Sequence, residues 1–100
     1  MGSLTVVQLL QGHRAELLEC GVENVTIVGS VARNTSSPDS DVDLLVNLTG
    51  PDTGFARFRR LDELQSRLSQ ILGCSVDLIE EGALSPRVRR EIYKDRVVAF

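Results

Sequence analysis

The sequence predicts one α/β domain in which a small mixed β-sheet is flanked by helices. Three observations predict it: short apolar segments rich in β-branched residues, a long segment with helical periodicity between two of them, and turn-forming residues at the junctions. The chain has 100 residues, enough for one hydrophobic core but too few for a catalytic domain plus a separate substrate domain. We therefore expect residues 1–100 to form a single domain.

The first predicted elements are an amphipathic helix and a buried strand. Apolar residues recur at roughly helical spacing over residues 4–18, and Gly21 is placed to end the helix. Residues 22–28 are rich in β-branched side chains and run into Gly29-Ser30, which predicts a strand that ends in a tight turn. Residues 34–40 are mostly Asn, Thr, Ser, Pro and Asp, a composition typical of a loop.

The remaining elements complete the predicted sheet. The short link between the first two strands implies that they are antiparallel neighbours, whereas a helix of nearly twenty residues permits a parallel crossover into the third strand. Phe55 and Phe58 have helical spacing in that long helix, so we interpret them as core residues. The further elements are a strand over 41–48, the long helix over 54–72 closed by Gly73, a strand over 75–79, a helix over 86–93 with Ser85 as N-cap, and an edge strand over 97–100.

Composition and charge narrow the classes of function. The chain is 42% hydrophobic and 25% charged, like an ordinary globular protein. No apolar stretch approaches the ~20 residues of a membrane-spanning helix, and the first residues lack the pattern of a secretory signal, so a cytoplasmic protein is expected. The net charge of −3 offers no broad basic face, so direct nucleic-acid binding is not expected. Cys20 and Cys74 are predicted to be buried free thiols.

Three aspartates carry the predicted chemistry. Asp41 and Asp43 alternate along the second strand and therefore lie on one face, with Cα atoms separated by about 6.6 Å. Asp77 is the one charged residue of the third strand, which the sheet can bring alongside. Because ionised carboxylates repel each other and oxygen ligands suit magnesium, we expect a site for two Mg²⁺ ions with Asp77 as a ligand or a base.

A less specific interpretation is that the three aspartates only solvate strand ends or pair with arginines. Another is an EF-hand loop, since Asp39, Asp41 and Asp43 alternate. The EF-hand fails because its sixth position would be Leu44 rather than glycine and its twelfth Gly50 rather than glutamate.

The Gly29-Ser30 turn is the predicted phosphate site. Free backbone N–H groups after a strand attract phosphate, glycine allows close approach, and the Ser30 hydroxyl can donate a further hydrogen bond. Arg33 could add positive charge on the same side. Each residue alone is better explained as an ordinary turn or surface residue, and it is the spacing to the aspartates that favours the functional interpretation.

Residues 29–33 (GSVAR), followed after a polar loop by residues 40–46 (SDVDLLV), resemble the motif of the DNA polymerase beta-like nucleotidyltransferase superfamily, in particular its minimal nucleotidyltransferase (MNT) branch. The resemblance implies a nucleotidyltransferase fold in which Gly29 and Ser30 bind a triphosphate and Asp41, Asp43 and Asp77 hold two magnesium ions. The sequence departs from the family pattern at Val31 and Asn34.

The resemblance also implies a substrate and a partner. Small members of the family often act beside a helical HEPN protein, and some are antitoxins that transfer AMP from ATP to a tyrosine of the HEPN toxin. Our first hypothesis is therefore an adenylyltransferase of this type, with ATP as nucleotide and a HEPN protein as acceptor. The alternatives are transfer to a small molecule, as in aminoglycoside-type relatives, and a nucleotide-binding partner module without turnover. The acceptor, the base preference and the oligomeric state stay open at this point.

Overall fold

A computed structural model of the chain describes residues 1–37 and 39–100, so Pro38, which belongs to the predicted loop, lies outside the described residues. The structure is an α+β fold, which confirms the predicted class. The helices are α1 (Ser3–Gly12), α2 (Arg14–Glu19), α3 (Gly29–Ala32), α4 (Gly54–Leu72) and α5 (Pro86–Tyr93), and the strands are β1 (Val22–Val28), β2 (Val42–Leu48), β3 (Val76–Glu80) and β4 (Val97–Val98).

The strands of the described chain form one mixed sheet in the order β3-β2-β1-β4. β1 is antiparallel to both β2 and β4, with Val28 opposite Asp43 and Ile27 opposite Val97. β2 and β3 are parallel and are joined by α4. The predicted antiparallel pair and parallel crossover are therefore both confirmed.

The hydrophobic core lies against one face of this sheet. Side chains alternate between the two faces of a strand, so Val42, Leu44 and Val46 of β2 enter the core while Asp43 does not. Leu68, at 0% exposure, is among the most deeply buried side chains of α4. The core is completed from α1 and α2 by Val6, Leu10 and Leu17, from β1 by Val22, Val25 and Ile27, and from α4 and β3 by Leu64, Leu72 and Val76.

The signals that end and begin helices are placed as predicted. Gly73 follows α4 with φ of 69°, the left-handed conformation that glycine adopts without strain. The Ser85 side chain accepts a hydrogen bond from the Val88 backbone N–H and so caps the first turn of α5. No helix in the described ranges 1–37 and 39–100 is both long enough and apolar enough to cross a membrane.

Three features differ from expectation. The single predicted N-terminal helix is two helices separated at His13, directly after Gly12, a residue of low helix propensity. Phe55 and Phe58 are 79% and 66% exposed rather than in the core, because leucines of α4 face the sheet instead. Cys20 is exposed and Cys74 is half-buried, so the expectation of two buried thiols is wrong, although both are free.

Candidate active site

The sheet brings two of the three predicted carboxylates together. In the parallel ladder of β2 and β3, Asp43 lies directly opposite Asp77. Residues paired in this way project from the same face of a sheet, here the face opposite the core. Asp41 lies one residue before β2, because the second strand begins at Val42 rather than at residue 41 as predicted. Asp43 is half-buried, whereas Asp41 and Asp77 are exposed.

The environment of Asp43 disfavours its ionised form. Removal from water raises the pKa of the Asp43 carboxyl, and the negative charges of Asp77 and Asp41 raise it further. The positive charge of Arg33 acts in the opposite direction on the same pKa. Asp41 and Asp77 are therefore close enough to Asp43 for their negative charges to repel its carboxylate.

A divalent cation would relieve this repulsion. Three carboxylates with mutually unfavourable charges supply the hard oxygen ligands that Mg²⁺ prefers. In the described part of the chain, however, no three His, Cys, Asp or Glu side chains converge closely enough to hold a metal ion as they are oriented. Since Asp41 and Asp77 are exposed, both side chains have room to rotate towards an ion. The donor set fits magnesium in charge and chemistry, and the predicted two-ion site stays a prediction.

The Gly29-Ser30 turn lies directly beside the carboxylates. Gly29 begins α3 with φ of 73°, and a Cβ atom on it would clash with Oδ2 of Asp43. Only glycine fits both this backbone conformation and this approach. Among the described residues, no backbone acceptor is present for the N–H groups of Ser30 and Val31, and Val28 contributes no side-chain cap. These N–H groups are thus free of backbone partners, and phosphate binding at the turn stays a prediction.

Arg33 has a different contact from the one expected. Its guanidinium Nη1 lies 3.6 Å from Asp95 Oδ2, and both side chains are about half exposed. Arg33 is nevertheless close enough to Asp43 for its charge to lower the pKa of that carboxyl. No sequence motif contains Asp95, which follows α5. The predicted edge strand could have indicated the position of Asp95, because that strand had to pair with the strand that precedes the Gly29-Ser30 turn.

The predicted site residues therefore form one region. A Cβ atom on Gly29 would meet Asp43 Oδ2, Asp77 lies opposite Asp43, and the charge of Arg33 lowers the pKa of Asp43. Asp41 is the predicted site residue that lies just outside the observed strand β2. The combination of a phosphate-accessible turn and acidic side chains is suited to transfer chemistry on a phosphorylated substrate.

Comparison with known proteins identifies the family of the chain. Residues 10–99 match the family described as nucleotidyltransferase domain. A relative from Methanocaldococcus jannaschii, named "Putative protein adenylyltransferase MJ0126", is 33% identical over 94 residues, with 92% of each chain covered.

Two solved structures show the same fold. One, described as "Structure of putative minimal nucleotidyltransferase", superposes with a TM-score of 0.78 at 29% identity and covers 97% of this chain and 95% of its own. A chain of the structure described as tri-AMPylated Shewanella oneidensis HEPN toxin in complex with MNT antitoxin has a TM-score of 0.55 at 17% identity, covering 90% and 71%. The resemblance found in the sequence is thus confirmed, and the chain belongs to the nucleotidyltransferase domain family.

Proposed function

We propose that this protein is a Mg²⁺-dependent adenylyltransferase that transfers AMP from ATP to a hydroxyl group of a partner protein of the HEPN type. The observation that carries the proposal is the row formed by Asp77, Asp43 and the Gly29 turn on one face of the sheet. In this row, the backbone N–H groups of the turn would bind the triphosphate, and the aspartates would lie beside the phosphorus atom that reacts. The adenylyltransferase name of the relative and the AMPylated toxin in the MNT complex support the choice of nucleotide and acceptor.

The residues divide the work between binding and proton handling. The backbone N–H groups after Gly29 and the Ser30 hydroxyl bind the β- and γ-phosphates. The acceptor oxygen bonds to the α-phosphorus while the bond from that phosphorus to the bridging oxygen of the β-phosphate breaks, and pyrophosphate leaves. The hydroxyl proton passes to the Asp77 carboxylate, which is exposed and therefore accessible to an acceptor on a second protein.

Asp41 and Asp43 are the carboxylates that would hold magnesium together with Asp77. When bound, Mg²⁺ supplies positive charge that offsets the three carboxylates and the phosphate oxygens during transfer. The raised pKa of Asp43 fits this role, because the residue is destabilised as an anion until a cation is close.

A labelling experiment tests the proposal. The protein is incubated with Mg²⁺, ATP and a small all-helical HEPN-type protein encoded by an adjacent gene, with the label on either the α- or the γ-phosphate. We expect the α-label alone to appear on the partner, since pyrophosphate leaves. Asp43→Asn should reduce labelling by at least about 100-fold, as expected for loss of a metal ligand.

Asp62→Asn is the matched control, since Asp62 is an exposed aspartate on α4 away from the sheet face that carries Asp43. It should label the partner as the wild type does. Transfer that survives in Asp43→Asn, or transfer of the γ-label, would contradict the mechanism. Labelling of an aminoglycoside instead of the protein would replace the proposed acceptor.

A further inference from the structure

Arg96 lies beside the phosphate turn, although nothing in the sequence pattern drew attention to it. The antiparallel ladder of β1 and β4 pairs Thr26 with Val98 and Ile27 with Val97. Arg96 directly precedes β4, and continuing this register by one residue beyond the paired positions would bring it opposite Val28, the residue that precedes Gly29. The ion pair between Arg33 and Asp95 independently places the segment before β4 next to α3.

The register also fixes the face of the sheet from which Arg96 projects. Directly opposite residues share a face, and alternate residues of a strand return to it. Val28 is opposite Asp43, and Asp43 is opposite Asp77. Val97 packs against the core, so the preceding residue Arg96, just before β4, is directed to the face that carries the carboxylates.

The side chain of Arg96 is oriented but has no carboxylate partner. Its guanidinium carbon lies 4.3 Å from the centre of the Tyr93 ring, which supports it by a cation–π contact. Within residues 1–37 and 39–100, no ion pair involves Arg96, whereas the nearby Lys94 pairs with Glu91 and Arg33 pairs with Asp95. Arg96 is exposed, so its charge is available to an incoming anion.

We infer that Arg96 binds the β- and γ-phosphates of the nucleotide at the Gly29-Ser30 turn. The inference rests on the proposed function, because it concerns the same nucleotide site, and it names a binding residue that the motif does not contain. A guanidinium presents several N–H donors in a plane that matches phosphate oxygens. Stacking on Tyr93 reduces the number of conformations that the side chain loses on binding.

Calorimetric titration with ATP, ADP and AMP in the presence of Mg²⁺, without any acceptor, tests this inference. Arg96→Gln should weaken ATP binding by about tenfold or more, as expected for loss of a hydrogen bond to a charged group, and should leave AMP binding within about twofold. Arg96→Lys keeps the charge but not the planar donors, so an intermediate loss is expected. Arg90→Gln, at an exposed arginine of α5, is the control and should bind as the wild type does.

Several outcomes would overturn the inference: equal ATP affinity of wild type and Arg96→Gln, equal weakening of ATP and AMP, or no ATP binding by the wild type. An unchanged melting temperature shows that the variants fold, and Arg96→Lys gives a second, milder change. The titration contains no acceptor. Absence of label on the partner would therefore refute the proposed transfer but would not affect the measured role of Arg96 in ATP binding. Conversely, partner labelling with normal ATP affinity in Arg96→Gln would refute only the role of Arg96.

Discussion

The conformation of Gly29 and the position of the Asp43 side chain depend on each other. The positive φ of Gly29 turns the chain away from β1, and the missing side chain leaves space for the Asp43 carboxylate. Replacement by any other residue would both strain the backbone and displace the carboxylate. The turn therefore positions the carboxylate next to the proposed phosphate site.

Gly29→Ala is expected to lower the free energy of unfolding by about 1–3 kcal/mol, because alanine must adopt a left-handed backbone conformation and because its Cβ meets Asp43 Oδ2. Urea denaturation measures this loss. Gly82→Ala is the control, since a Cβ there meets no atom within 4 Å and φ is not positive. A Gly29 variant as stable as the Gly82 variant would show that this contact is not close in solution.

The raised pKa of Asp43 predicts a pH dependence in the absence of divalent cations. Between its unfolded and its folded pKa, Asp43 binds more protons in the folded state, so the free energy of unfolding falls as pH rises through this window. Asp43→Asn removes that contribution and should therefore be more stable than the wild type above the window. Thermal melts of both proteins from pH 4 to pH 8 in EDTA measure the difference, and parallel curves would contradict the prediction.

Helix α4 has two distinct faces, one buried and one exposed. Leu68 is fully buried against the sheet, whereas Phe58 is 66% exposed on the same helix. The helix is thus held by its leucines and not by its largest side chains. Its length also sets the parallel crossover that brings β3 beside β2.

Leu68→Ala is expected to cost about 2–5 kcal/mol of unfolding free energy, the range for a large apolar side chain removed from a packed core. Phe58→Ala should change it by less than about 0.5 kcal/mol, because an exposed side chain gains little from folding. Chemical denaturation of the two variants gives both values. A large loss in Phe58→Ala would show that the ring is covered in solution.

Local patterns predicted most elements, including α4 and β1 with the bounds that the structure gives. These elements were readable because helical periodicity and β-branched runs are properties of neighbouring residues. The ion pair of Asp95 with Arg33 and the position of Arg96 directly before β4 were not readable, since both depend on the register of a two-residue strand far along the chain. Sequence periodicity also failed to separate Phe55 and Phe58 from the core, because both share the helical spacing of the leucines.

In the molecule as a whole, the main hydrophobic core lies on one face of the sheet, whereas the predicted site residues Asp43 and Asp77 lie on the other. The core side chains of β2 hold the strand in register, and the alternate positions are left for Asp43 and its neighbours. The stabilisation from burial on the first face thus offsets the repulsion between carboxylates on the second. A bound cation and nucleotide should remove that repulsion and stabilise the fold.

Mg²⁺ with ATP is therefore expected to raise the melting temperature of the wild type. At a ligand concentration 100 times the dissociation constant, the added stability is about 2.7 kcal/mol. Removal of Mg²⁺ with EDTA should reverse the shift, and Asp43→Asn should show little of it. Differential scanning fluorimetry measures all three conditions. An equal shift in Asp43→Asn would contradict a cation held by that residue.

The pairing of Asp43 with Asp77 limits which changes of chain length the protein can accept. Insertion of one residue between Val76 and Asp77, inside the paired part of β3, would reverse the alternation of the strand and turn Asp77 towards the apolar interior. A substitution library of Val76 could contain active members, whereas a library of single-residue insertions at this junction should contain none. Natural relatives are consequently expected to differ in amino-acid identity there but to keep the same number of residues.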